Sequence, residues 1–356
     1  MTAKDIFEMM IKYDASDVFI RANSPLKARI YNEVKIINEY VFCLEDLGNM
    51  VEEVGPSHLQ EDFKNKKGCE FTICHEKKWR FRFGVFYQRG SLAMVIRKIG
   101  LEIPTFDQLS LPGDVLAKFC TQKRGLILLT GVTGSGKSTA IASMVQYINQ
   151  NFGKHILTIE EPIEFTYIDD KSIVNQRELG KDVFSYDAAL TQFALHSPDV
   201  IFIGNIRDEA TCRAALTAAE TGVLVFSTLH TVNAASTVER IIDFFPPHQQ
   251  SFVLMQLSVL LKGVMCLRLL PRNDQPGLIP AYEVMTLSPT VSRLLRENKL
   301  WEVPKYISSG EIYGMKSFDQ SLLELVKTKK ILPDVALEFA DKKEELELYL
   351  RNEELL

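Results

Sequence analysis

The sequence predicts an α/β protein of two domains, and three observations predict it. Beyond residue 113, short and nearly continuous apolar runs alternate with helical stretches: GLILLTG (125–131), HILTIEE (155–161), DVIFIGN (199–205) and GVLVFSTLH (222–230). Strands of that kind, separated by helices, belong to a parallel sheet covered on both faces. The first 98 residues instead alternate apolar and polar positions, as half-buried strands do. Between the two lies IGLEIPTFDQLSLP (99–112), where Pro104 and Pro112 interrupt regular structure and restrict the residues before them. The expected organisation is a small α/β domain at 1–98, a connector at 99–112, and a larger α/β domain at 113–356.

Taken in order, Ile6, Phe7, Met10 and Ile11 predict an amphipathic opening helix. DVFIR, KARIY and KIINEY read as short strands. LEDLGNMVEEV reads as a helix, with Leu44, Leu47, Val51 and Val54 at helical spacing. CEFTIC and KWRFRFGVFYQRGSLAMVIRKI read as half-buried strands, with YQRG supplying the last turn. In the second domain the four apolar runs are strands. After about residue 246 the chain reads as mostly helical, closing in an acidic amphipathic helix from Pro333 onward. There is no internal repeat and no low-complexity tract.

Composition narrows the function classes. The 356 residues are 46% hydrophobic and 24% charged, ordinary for a globular protein, and the net charge of −5 does not favour a surface built mainly for nucleic acid. The opening MTAKDIFEMMIKYD lacks the basic-then-apolar order of a targeting signal, and no apolar run approaches the ~18–20 residues that span a bilayer. Membrane association is expected to go through a partner. The cysteines, at 43, 69, 74, 120, 212 and 266, form no C-x-x-C pair, and His75 alone completes no zinc pattern; they read as reduced, buried thiols.

The strongest motif is Gly131-Val-Thr-Gly-Ser-Gly136-Lys137-Ser138, a G-x-x-x-x-G-K-[ST] run directly after an apolar strand and directly before a helix. Gly131, Gly134 and Gly136 permit backbone angles that turn N–H groups inward, towards phosphate oxygens. The helix N-terminus adds to that cradle. Lys137 is placed to reach the β- and γ-phosphates, and the Ser138 hydroxyl to hold Mg²⁺. Gly131, Thr133, Gly134, Ser135, Gly136, Lys137, Ser138 and Thr139 form the expected ATP-binding segment. The competing reading, a chance glycine-rich turn, does not account for strand, motif and helix falling in order.

An NTP hydrolase also needs a carboxylate near the metal and a group that orients water. The strand HILTIEEPIEF ends in Glu160, Glu161 and Glu164, and ligands of open α/β sheets bind beyond the carboxyl ends of strands. A solvated acidic strand end is the alternative. The next strand, DVIFIG, runs into Asn205, Ile206, Arg207 and Asp208. An amide carries no basic lone pair, so Asn205 can hydrogen-bond water but not take its proton; Asp208, three residues on, is a possible substitute. His230, after a further strand, either contacts a γ-phosphate or is a structural histidine.

With these residues in place the chain resembles the secretion ATPase superfamily, and within it the type IV pilus retraction ATPases (PilT/PilU-like). ASDVFI (15–20), RFRFGVFYQRGSLAMVIRKI and IPTFDQLSLP resemble the family's N-terminal segments and linker. GVTGSGKST resembles its Walker A motif and TIEEPIEF (158–165) its Asp box. NQRELGKD (175–182) resembles the segment that follows, SPDVIFIGNIRD (197–208) the Walker B region, and TGVLVFSTLHTVNAASTVERIIDFFP (221–246) the His box. The resemblance implies a PAS-like N-terminal domain and a RecA-like ATPase domain with a helical C-terminal region. It also implies a homohexamer in the bacterial cytoplasm, docked on an inner-membrane pilus platform protein and driving retraction with ATP and Mg²⁺. In such rings N-terminal arginines approach the phosphates; Arg80, Arg82, Arg89 and Arg97 are the candidates. Glu160, with Ser138, would serve Mg²⁺ or water. Glu161, Glu164, Asn205, Arg207 and His230 complete the catalytic candidates. The four-cysteine zinc site and longer N-terminal regions of the extension ATPases have no counterpart here.

Three positions depart from the family pattern. Asn205 stands at the Walker B glutamate, Val223 at the first histidine of the His box, and TVSRLLRENK (290–299) replaces the retraction branch's alanine-led segment. These fit a divergent or PilU-like paralogue working beside a related ATPase. If the Walker B position supplies the activating carboxylate, Asn205 implies slow or absent hydrolysis with nucleotide binding kept. It would arise either in a natural binding-only subunit or as an engineered trap.

Overall fold

The computed structural model describes residues 1–31, 33–55, 68–75, 79–100, 102–193 and 196–356. Lys78 and Leu101, inside runs expected as strand and connector, lie outside the described residues. The chain divides into two compact units, Met1–Glu102 and Ile103–Leu356.

The first unit carries α1 (Ala3–Lys12), β1 (Asp17–Arg21), β2 (Pro25–Ile30), β3 (Glu33–Val41), α2 (Leu44–Val54), β4 (Gly68–His75), β5 (Trp79–Gln88) and β6 (Ser91–Gly100). The strands form one six-stranded antiparallel sheet in the order β3-β2-β1-β6-β5-β4. The alternation seen in the sequence sends Val18, Ile20, Phe81, Phe83 and Ile96 to the side where Ile6, Phe7 and Met10 of α1 and Leu47 and Met50 of α2 are buried. The Phe7 and Phe81 rings stack at 4.0 Å. The expected turn closes β5 onto β6, with Arg89 (φ 48°) and Gly90 (φ 75°) both in the left-handed region that a two-residue hairpin turn requires. This helix-covered antiparallel sheet is the PAS-like domain.

The second unit opens with α3 (Gly113–Cys120), and its P-loop core runs through β7 (Gly125–Thr130), α4 (Lys137–Asn151), β8 (His155–Glu160), β9 (Ile173–Glu178), α5 (Tyr186–Phe193), β10 (Val200–Ile203), α6 (Glu209–Glu220), β11 (Leu224–Leu229), α7 (Ala234–Asp243) and α8 (Pro247–Leu260). The four apolar runs are β7, β8, β10 and β11, mutually parallel in the order β7-β11-β10-β8. Their residues feed alternate faces: in β7, Leu126 and Leu128 enter one core, Ile127 and Leu129 the other. Residues 103–112 belong to this unit, where Phe106 and Leu111 are buried with α3 and α4.

The region after residue 246 is mostly helical, as expected, but it also contains two strands that the sequence reading did not separate from the helices. β12 (Leu261–Pro271) and β13 (Leu278–Thr286) extend the sheet, β12 parallel to β7 and β13 antiparallel at the edge. α8 passes into β12 with no intervening turn residue, so nothing in the sequence punctuates the change. Helices α9 (Pro289–Arg296), α10 (Val303–Ser308), α11 (Phe318–Lys327), α12 (Pro333–Phe339) and α13 (Lys343–Asn352) follow. The single acidic helix expected from Pro333 is therefore two, separated at 340–342. None of the six cysteines forms a disulfide; Cys120, Cys212 and Cys266 are buried, whereas Cys43 and Cys74 are exposed.

Candidate active site

The site is built where the parallel strands end. After β7 the chain turns through Gly131 (φ 141°), Gly134 (φ 80°) and Gly136 (φ 92°), and Gly136 is the N-cap of α4. A Cβ on Gly131 would stand 2.5 Å from the Leu267 carbonyl oxygen and 2.5 Å from Ser135 Oγ, so the turn admits only glycine there. Thr133 is exposed at the tip, and Ser138 and Thr139 are half-buried in the first turn of α4. Lys137 is 7% exposed, and its ammonium donates to the carbonyls of Gly131 and Val132, both at 2.8 Å. Burial pulls its pKa down, and the Glu164 carboxylate opposes that.

Glu160 is the last residue of β8 and is 7% exposed. Its Oε1 accepts from Thr158 Oγ1 at 2.7 Å and Gln176 Nε2 at 3.0 Å. Burial pushes its pKa up to about 6 against those hydrogen bonds. Glu161, half out in solvent, pairs with Arg207 at 2.7 Å. Asn205 follows β10; its Oδ1 is buried with no hydrogen-bond partner among the described residues. The end of β11 fastens this corner, with Thr228 Oγ1 donating to the Gly204 carbonyl at 2.6 Å and Ile206 N–H to the Thr228 carbonyl at 3.0 Å.

Ser138, Glu160, Glu161, Glu164, Asn205 and Arg207 all line one cavity of about 60 Å³. His230 lies outside that lining, exposed after β11. Its pKa is lowered by partial desolvation of the ring and by the cations Lys137 and Arg207. Asp208 does not substitute for the missing carboxylate: its side chain accepts the Thr211 N–H at 2.8 Å and caps α6.

The candidate arginines all belong to the first unit. Arg82 pairs with Glu70 at 2.5 Å and Arg97 with Asp17 at 2.8 Å, while Arg89 occupies the hairpin turn. Arg80 differs: its Nε and Nη1 are buried without a hydrogen-bond partner among the described residues.

Three site residues escaped the sequence reading. Thr158 and Gln176 orient Glu160, and Tyr186, at the start of α5, lines the cavity with its hydroxyl buried and its pKa raised to about 12 by burial and by Glu161. Thr158 had a signal, since residues i and i+2 of a strand share a face. Tyr186 had none, because only the sheet crossover brings α5 there.

The sequence profile of the type II/IV secretion system protein family matches residues 70–303. This chain belongs to that family. Among family relatives it is 38% identical to a twitching motility protein of Neisseria gonorrhoeae, over 89% of this chain and 85% of that one. It is 36% identical to the type IV pilus ATPase PilU of Pseudomonas aeruginosa, over 99% of this chain and 92% of that one. The crystal structure of the pilus retraction motor PilT with bound ADP superposes with a TM-score of 0.90 at 40% identity, covering 98% of this chain and 99% of that chain. The fold is thus the family's N-terminal domain followed by a RecA-like ATPase domain.

Proposed function

We propose that this protein is an ATP-driven motor of type IV pilus retraction. The observation that carries the reading is the convergence of Ser138, Glu160, Glu161, Glu164, Asn205 and Arg207 on one cavity beside the glycine loop of Lys137. Similarity to pilus ATPases along nearly the whole chain supports it.

In this reading the N–H groups of 131–139 bind the phosphates and Lys137 exchanges its loop carbonyls for β- and γ-phosphate oxygens. Ser138 would hold Mg²⁺, with Glu160 on the metal or on its water, since their oxygens suit a hard cation. When bound, Mg²⁺ neutralises charge that develops on the transferred phosphoryl group. Glu160 serves either the metal or the attacking water, and Glu161 and Glu164 line the same cavity as the other candidate proton acceptors. Asn205 orients that water without deprotonating it. His230 senses the γ-phosphate, and Arg80, Arg82 and Arg97 stabilise phosphoryl charge from the N-terminal domain. The boundary between the two domains that move falls within the expected connector 99–112, most of which, from Ile103 on, packs with the second unit. The motor is a homohexamer in the bacterial cytoplasm, docked on an inner-membrane platform protein and working beside a paralogous ATPase.

A second reading is favoured by Asn205 alone: a subunit that binds ATP but turns it over weakly or not at all. Steady-state ATP hydrolysis by the protein, by Asn205→Glu and by Lys137→Ala as the blank separates the two. Turnover well above the blank in the unaltered protein supports the motor, with Glu160 or Glu161 carrying the chemistry. Turnover at the blank that Asn205→Glu restores assigns the silent subunit. No ATP binding by the unaltered protein overturns both.

A further inference from the structure

Arg268 and Glu283 stand on the neighbouring strands β12 and β13. Cys266 is the register partner of Glu283, and Arg268 lies two residues beyond Cys266, so both charged side chains leave the same face of the hairpin. Both hold the chain that follows His230. Glu283, 5% exposed, accepts the N–H of Ala234 at 2.7 Å and so secures the first residue of α7. Arg268 does more. Its guanidinium lies 3.7 Å above the Phe318 ring at the start of α11. From there it donates to the Phe339 carbonyl at 2.7 Å, the Asp341 carboxylate at 2.6 Å and, at 3.4 Å, the carbonyl of Val232. Asp341 is itself placed by its N–H, which donates to Asp319 Oδ1 at 3.0 Å.

One side chain therefore joins three separate pieces of chain: the loop 230–233, the first turn of α11, and the turn between α12 and α13. A guanidinium is planar and its donors form a rigid fork, so a shift of any acceptor moves the others' geometry. The loop has few other fastenings: Thr231 Oγ1 meets Thr237 Oγ1 at 2.7 Å, Asn233 caps α7, and Val232 is half exposed.

We propose that Arg268 is a positioning residue that sets the His230–Asn233 loop beside the nucleotide site and ties its placement to the packing of the C-terminal helices. The proposal rests on the nucleotide reading of the site. A ligand at the loop and a partner on the C-terminal helices then bias the same side chain, which is the requirement for coupling between them.

The test is amide hydrogen exchange of the full chain, unaltered and as Arg268→Lys and Asp341→Asn, with ATP and ADP affinities measured on the same samples. Lysine keeps the charge but not the fork. Asp341→Asn alters a carboxylate well removed in sequence from the loop and serves if Arg268→Lys does not fold. Amides of 230–236 are expected to exchange about tenfold faster in both variants, and affinity for ATP to fall relative to ADP, since in the proposed function His230 senses the γ-phosphate. Exchange changed only at 339–343, with the loop at its unaltered rate, overturns the proposal. So does an equal loss of ATP and ADP affinity, which is what a merely structural arginine would give. If the unaltered protein binds neither nucleotide, the ATPase reading fails, and loop exchange alone decides whether Arg268 holds the loop.

Discussion

Glu160 shows how burial and function meet in one residue. Its carboxyl has an ordinary pKa of 4.5 and a folded value of about 6, raised chiefly by burial. A raised folded pKa means that the folded state binds more protons across that interval. The stabilisation is complete below pH 4.5 and is lost as pH rises through about 6. Above that, the ionised group costs roughly 2 kcal/mol. Glu160→Gln cannot ionise, so its stability relative to the unaltered protein should rise by about that amount between pH 4.5 and pH 7. Urea unfolding at the two pH values measures it, and a pH-independent difference would contradict the assignment. Lys137 carries the opposite strain, an ammonium held among carbonyls with its pKa pulled down, and is ready to take anionic partners.

At the scale of elements, the sheet holds the site by close fits. Gly263 marks one of them. The pairing of β12 with β7 slips between Leu261 and Gly263, and the ring of Phe119 from α3 fills the space a side chain would take. A Cβ at Gly263 would stand 2.2 Å from the nearest ring atom. Gly263→Ala must displace the buried Phe119 ring, and a loss of about 1–3 kcal/mol is expected. Chemical denaturation checks this; a loss under about 0.5 kcal/mol, the range of an ordinary surface substitution, would refute the close packing. The caps are equally local. Asp208 reads in the sequence as a spare catalytic carboxylate, yet its oxygen is engaged by the N–H of Thr211, because a helix starting just past the strand leaves orphan donors to satisfy.

The whole molecule raises the question of assembly. A cyclic ring needs two different, complementary surfaces on each chain, and contacts of that type close only at a set number of copies. In the proposed motor that number is six. Sedimentation or native mass at micromolar concentration with ATP should therefore report a hexamer, and a strict monomer would count against the motor reading. Among the described residues no helix is long and apolar enough to cross a membrane.

By itself the sequence determined what is local. The glycine loop was readable because its chemistry needs contiguous residues at fixed spacing between a strand and a helix. The four central strands were readable because burial on both faces demands unbroken apolar runs. The hairpin at Arg89–Gly90 was readable because its turn constrains two adjacent residues. Tertiary structure decided what is distant. It placed Glu160, Asn205, Arg207 and Tyr186 around one cavity, gave Asp208 to a helix end, and added β12 and β13 to the sheet. It also gathered the loop after His230 and the C-terminal helices onto Arg268. Periodicity and turn chemistry act over a few residues, whereas these meetings depend on strand order and crossovers, which no short stretch of sequence encodes.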